Sequence, residues 1–188
     1  LFRLVRNATT SAKIGGNIVG SSFEHPATRS AAKHWASQTN REYINVQHDD
    51  HNGHVTAELY SKVVNSDTRV VTILHASPVT GISVDLEAIS KAVHSIAPEA
   101  FIIVDGVQYA AHGGINIDQY KIDGYAISPY KMYSRHGYGF AWVSERLTKM
   151  SHEQLLEGPD ENWELGTRDT GSYATLSDVV RYLEWLGG

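Results

Sequence analysis

Cysteine is absent from all 188 residues, so neither a disulfide nor a thiol nucleophile lies within this sequence. A basic excess is missing too. Sixteen Lys and Arg stand against 21 Asp and Glu, for a net charge of −5, and no cluster of them offers the stripe that a phosphate backbone selects. Nucleic acid is therefore not expected as the main partner. No apolar run approaches the roughly 20 residues needed to cross a bilayer, and no charged start followed by an apolar core marks a secretory signal within the sequence. No membrane partner is expected, and a cytoplasmic location is. The sequence also lacks a GxxxxGK[ST] loop, which sets aside the P-loop nucleotide hydrolases. With no internal repeat, low-complexity run or linker, residues 1–188 are expected to form one domain.

What the chain has is an alternation of short apolar runs with helix-like stripes, the pattern of an α/β protein. Strands are expected at Asn17 to Ser22, Glu42 to Val46, Thr68 to Leu74, Phe101 to Val104, Tyr125 to Ser128 and Phe140 to Val143. Helices are expected from Pro26 towards Gln38, over Thr56 to Val64 and Asp85 to Ala97, and briefly near Ile117 to Tyr120. A last helix should follow the stripe Leu176, Val179, Val180 and Leu183. Thr9, Thr10 and Ser11 have the side chains of helix caps and read as a helix start, whose free N–H groups would hold a phosphate. The run from His48 to His54 crowds His and Asp around Asn52-Gly53 without the i, i+4 spacing that aims two ligands at one ion. It reads as a solvated turn, and no metal is expected.

Three residues carry the chemistry. Asp105 stands at the end of a strand that reads as buried on both faces, where open α/β sheets place their ligands; Gln108 follows it, and Lys131 comes three residues after another apolar run. Together they suit pyridoxal 5'-phosphate (PLP). A lysine amine forms a Schiff base with the cofactor aldehyde, and a carboxylate facing the pyridine nitrogen keeps that nitrogen protonated, which makes the ring an electron sink. Gln108 would hydrogen-bond the ring hydroxyl. Taken singly, Lys131 also reads as a solvated lysine, and Asp105 as a magnesium ligand or a phosphate-accepting aspartate. No second acidic pair follows an earlier strand to build such a metal site.

The ordered set Val104-Asp105-Gly106-Val107-Gln108, His112 and Ser128-Pro129-Tyr130-Lys131, followed by the Gly-containing stretch Arg135 to Gly139, resembles the class V aminotransferases, the group that includes cysteine desulfurases. Asn7-Ala8-Thr9-Thr10 resembles that family's phosphate-binding turn, Glu24-His25 its ring-stacking histidine, and Glu164-Leu165-Gly166-Thr167 a segment that reaches the partner subunit's phosphate. The resemblance implies the large domain of the fold-type-I PLP-dependent transferases, with a mostly parallel central sheet and helices on both faces. It implies Lys131 and His25 as catalytic residues, with Asp105, Gln108, Thr9, Thr10 and Ser128 on the cofactor and Thr167 acting across a homodimer. For His25, a backbone hydrogen bond at a helix start is the other reading; for Ser128 and Thr10 it is ordinary capping.

Two positions depart from the pattern. Tyr130 stands where cysteine desulfurases usually carry His, and Pro78 of Ser77-Pro78 where they tend to have Asn. The intervals from Thr10 to His25 and from Val143 to Trp163 are short against the family. An N-terminal segment and the small C-terminal domain are expected to lie outside residues 1–188, and with them any nucleophilic cysteine and the arginine that grips the substrate carboxylate. The expected function is PLP-dependent chemistry on an amino acid through Lys131, of transaminase or cysteine desulfurase/β-lyase type. The alternatives are an amino-acid racemase or epimerase of the same fold and a noncatalytic structural subunit.

Overall fold

Runs of aliphatic and β-branched residues build a sheet that is covered on both sides. The computed structural model describes residues 1–154, 163–167 and 169–187. Asn17–Ser21 (β1), Glu42–Val46 (β2), Thr68–Leu74 (β3), Phe101–Asp105 (β4), Gly124–Ile127 (β5) and Phe140–Val143 (β6) form one six-stranded sheet in the order β2-β1-β3-β4-β5-β6. All pairings are parallel except that of β6, which runs antiparallel to β5. Every residue of β1 and β4 is buried, as two-sided burial of a parallel strand demands.

Successive strand residues point to opposite faces, and the two cores divide accordingly. On one face Ile18, Val70 and Ile103 pack under Leu4, Val5 and Ala8 of Phe2–Ser11 (α1) and Ala31, Ala32 and Ala36 of Pro26–Gln38 (α2). On the other, Val19, Val71 and Ile102 pack under Tyr60 of Ala57–Val63 (α3) and Leu86, Ile89 and Val93 of Leu86–Ile96 (α4). The α/β class, the mostly parallel sheet and the helices on both faces therefore stand as read from the sequence. Ile117–Tyr120 (α5), Glu145–Thr148 (α6) and Thr170–Gly187 (α7) complete the chain. Of the expected α7 stripe, Val179 is buried, whereas Val180 is 45% exposed. No helix among the described residues is long and apolar enough to cross a membrane.

Local chemistry sets the helix ends. Pro26 occupies the first turn of α2 behind the His25 cap, and Asp85 caps α4 by accepting from Ala88 N–H at 2.9 Å. The expected helix start at Thr9 to Ser11 is corrected: α1 opens just after Leu1, and those residues form its last turn. Thr9 Oγ1 donates to Val5 O at 2.7 Å and Thr10 Oγ1 to Arg6 O at 3.1 Å, the backward i−4 bond that hydroxyls make inside a helix.

The start of β5 is pinned by charge. Asp123 is buried, and its carboxylate accepts from Arg146 Nε at 3.0 Å and Nη2 at 2.6 Å, from Ser144 Oγ at 2.9 Å and from Ile102 N–H at 2.9 Å. Arg146 also donates to Ala100 O and lies 4.5 Å above the Phe101 ring. Arg146→Ala is expected to destabilise the fold by about 2–3 kcal/mol, below the full cost of breaking a buried pair because the guanidinium is partly solvated. Urea unfolding compared with the parent protein measures this, and a change under about 0.5 kcal/mol would reduce the pair to surface decoration.

Candidate active site

Parallel strands point their carboxyl ends the same way, so the segments after β3, β4 and β5 gather at one end of the sheet. A cleft of about 220 Å³ opens there. Asp105, Val107 and Gln108 line it from the end of β4, Ser128, Tyr130 and Lys131 from beyond β5, and Leu74 and Pro78 from β3 and the loop after it. His25 and Ala27 contribute from the start of α2, and Leu1 from the start of α1. One cavity thus brings together Asp105, Gln108, Ser128, Lys131 and His25, residues separated by up to 106 positions.

Asp105 is 4% exposed and firmly held. Its Oδ2 accepts from Thr28 Oγ1 at 2.9 Å, and its Oδ1 from Val107 N–H at 3.2 Å. Thr28, wholly buried on α2, is a site residue that the sequence reading missed. It follows His25 by three residues, one helical turn, and that spacing was the available signal. His25 Nδ1 accepts from Ala27 N–H at 3.2 Å, so the ring caps α2 while bordering the cleft. In its neutral form this leaves the proton on Nε2.

Lys131 sits in a short 3-10 turn, Pro129–Met132, whose first bond runs from Lys131 N–H to Ser128 O at 3.0 Å. Its Nζ lies 5.8 Å from the Tyr130 ring centroid, and Tyr130 stacks on His136 with centroids 4.3 Å apart. Met132 is buried against Val179, with Leu183 packed alongside, so α7 supports the turn from behind. Ser134 Oγ and Thr175 Oγ1 tie the two segments together at 2.9 Å.

Behind Asp105 lies an aromatic layer. His75 donates its backbone N–H to Asp105 O at 3.0 Å, stacks on Tyr109 at 3.6 Å, and shares a 2.8 Å hydrogen bond between Nδ1 and Tyr125 Oη. Burial pushes the His75 imidazole down to about 4, so it stays neutral at physiological pH. Gly106 presses directly on the Tyr125 ring, and a Cβ there would overlap the phenol.

Three of the expected site residues do not line the cleft. Thr9 is buried inside α1, and Thr10 borders a different cavity beside Arg6 and Asn7. Both stand in the last turn of α1, whose free N–H groups lie at its start, by Leu1. Thr167 is exposed and lies away from the cleft.

The model of the aminotransferase class-V family matches residues 2–187. The chain belongs to the class V aminotransferases. This class V chain is 30% identical over 188 residues to a probable cysteine desulfurase of Mycoplasma pneumoniae, covering 92% of itself and 46% of that protein. It superposes on the cysteine desulfurase CsdA of Escherichia coli with a TM-score of 0.83 at 26% identity, over 98% of this chain and 49% of that one. A cystine C-S lyase solved with its product cysteine persulfide shares the fold, with a TM-score of 0.82 at 16% identity. The class V chain spans about half the length of the curated relatives it matches.

Proposed function

We propose that this class V chain is the cofactor-binding large domain of a PLP-dependent enzyme that acts on an amino acid through Lys131, in the manner of a transaminase or a cysteine desulfurase/β-lyase. The observation that carries the reading is the shared cleft, with a lysine amine on one wall and a buried carboxylate on another. The residues fit the cofactor. Asp105 is held by one hydroxyl and one amide, which leaves its negative charge and further lone pairs free for a protonated ring nitrogen. When bound, PLP supplies an aldehyde carbon for amines and a ring that accepts an electron pair.

In this reading Lys131 would hold the cofactor, and its amine would serve to move a proton at the substrate α-carbon. Asp105 would keep a proton on the ring nitrogen. Gln108 would hydrogen-bond the ring hydroxyl, Ser128 would bind the phosphate, and His25 would cover the ring. Tyr130 borders the amine, with its ring centroid 5.8 Å from Lys131 Nζ. Thr167, exposed and outside its own cleft, is assigned to the phosphate of the partner subunit in a homodimer. Cysteine is the first substrate to test, following the desulfurase relatives, and a cytoplasmic location is part of the same proposal.

The test is a titration of the full-length protein with PLP, followed by borohydride reduction and peptide mapping. A visible absorbance band that reduction converts into a permanent label on Lys131 is the expected result. No band at saturating cofactor, or a label on another lysine, would overturn the proposal.

A further inference from the structure

Glu24 directly precedes His25 and is 2% exposed, yet it has no part in the chemistry assigned to the cleft. Its two oxygens are treated differently. Oε1 accepts from Leu74 N–H at 3.1 Å and Ser21 Oγ at 3.3 Å, whereas Oε2 is closed off from solvent with no donor. Two other buried oxygens, Thr72 Oγ1 and Tyr43 Oη, also lack a partner. They converge over Gly20, where an added Cβ would come within 2.6 Å of each. Glycine is what lets the two hydroxyls approach.

The groups around Glu24 offer no cation to its carboxyl. Asp105 faces it from β4, the Tyr43 phenol from β2 and the Tyr60 phenol from α3, with Tyr60 Oη donating to Thr72 O at 3.0 Å. Arg29 on α2 spends its Nη2 on the backbone carbonyls of Ser22 and Glu24. An ionised Glu24 would therefore leave a bare anionic oxygen in a dry layer beside Asp105, a costly arrangement. A protonated one removes that charge while Oε1 goes on accepting from Leu74 N–H and Ser21 Oγ.

We propose that Glu24 is carried as a neutral carboxylic acid and acts as a positioning residue for Asp105, leaving Asp105 the single anion of this buried layer. Burial first, and the Asp105 charge second, push the Glu24 carboxyl up to about 8, in line with the geometry. An unfolded glutamate ionises near 4.3, so folding must hold a proton that the unfolded chain releases. Stability is consequently lost as pH rises from about 4.3 towards 8, and it levels off above that. The protonation stands on these contacts alone, while its consequence for a bound cofactor rests on the PLP-dependent function proposed for the cleft.

Two measurements on the full-length protein separate those parts. Without cofactor, the infrared spectrum at neutral pH should show the carbonyl stretch of a protonated carboxylic acid. It should move on isotopic labelling of glutamate carboxyls, fade above about pH 8 and be missing from Glu24→Gln. The same variant, which keeps an acceptor and a donor in that place, should gain stability over the parent as pH rises between those two values. A band that is absent at neutral pH, or unchanged in Glu24→Gln, would overturn the proposal.

With PLP added, the parent's visible spectrum should titrate with a step that Glu24→Gln lacks. Coincident profiles would overturn the positioning role while the infrared band upheld the protonation. Failure of both proteins to bind PLP would instead remove the cofactor reading, and the infrared band would then decide the protonation of Glu24 by itself.

Discussion

On the proposed function, Lys131→Ala is expected to lower amino-acid turnover by on the order of 10⁴-fold or more, because one substitution would remove both the proposed attachment point and the proposed base at the α-carbon. The fold should not notice. The turn around residue 131 is made by a backbone bond from Lys131 N–H to Ser128 O, by Pro129 and by the packing of Met132, none of which uses the lysine side chain. A thermal midpoint within a few degrees of the parent is therefore expected alongside the lost turnover. A small primary amine added to the variant should restore part of the rate by replacing the missing base. Turnover that survived within tenfold of the parent would show that the amine on this wall of the cleft is not the reactive one.

Asp105→Ala carries the second large effect, and it acts on two quantities at once. Removing the anion proposed to face the ring nitrogen is expected to cost on the order of 10²–10³ in turnover, the scale of deleting one preorganised electrostatic partner. It also strands Thr28 Oγ1 and Val107 N–H at a dry site, which adds a stability loss of about 2–3 kcal/mol. Asp105→Asn separates the two. The amide oxygen still accepts a hydrogen bond, so most of the stability should return, while the charge and its share of the rate stay lost. Chemical denaturation and steady-state kinetics on both variants decide the matter, and an Asn variant with parental turnover would rule out a charge requirement at this position.

These two residues were legible from the sequence because their positions are set by strand ends, and strand ends are written in local composition. Phe101 to Val104 and Tyr125 to Ile127 are apolar runs that only two-sided burial explains, and whatever follows such runs in a parallel sheet arrives at the same edge. Gln108 and Ser128 came with them. What the sequence hid is long-range or directional. Thr28 meets Asp105 across 77 residues and Glu24 meets Leu74 across 50, and no periodicity encodes such pairs. Thr9, Thr10 and Ser11 misled because the side chains that favour a helix start also bond comfortably to the carbonyl one turn back. Which choice they made depended on Leu4, Val5 and Ala8, an apolar stripe that commits the preceding residues to α1. Val180 shows the converse, an apolar residue at helical spacing that finds no core to enter.

The support of Met132 by Val179 and Leu183 has a consequence for how this protein can be tuned. A helix some fifty residues downstream acts as the backstop for the lysine's own turn and, among the described residues, contributes none to the lining of the cleft. Altering its girth, say Val179 to a smaller or larger aliphatic, is expected to act on Met132 and so on the seating of the turn that carries Lys131, at a distance from the cleft itself.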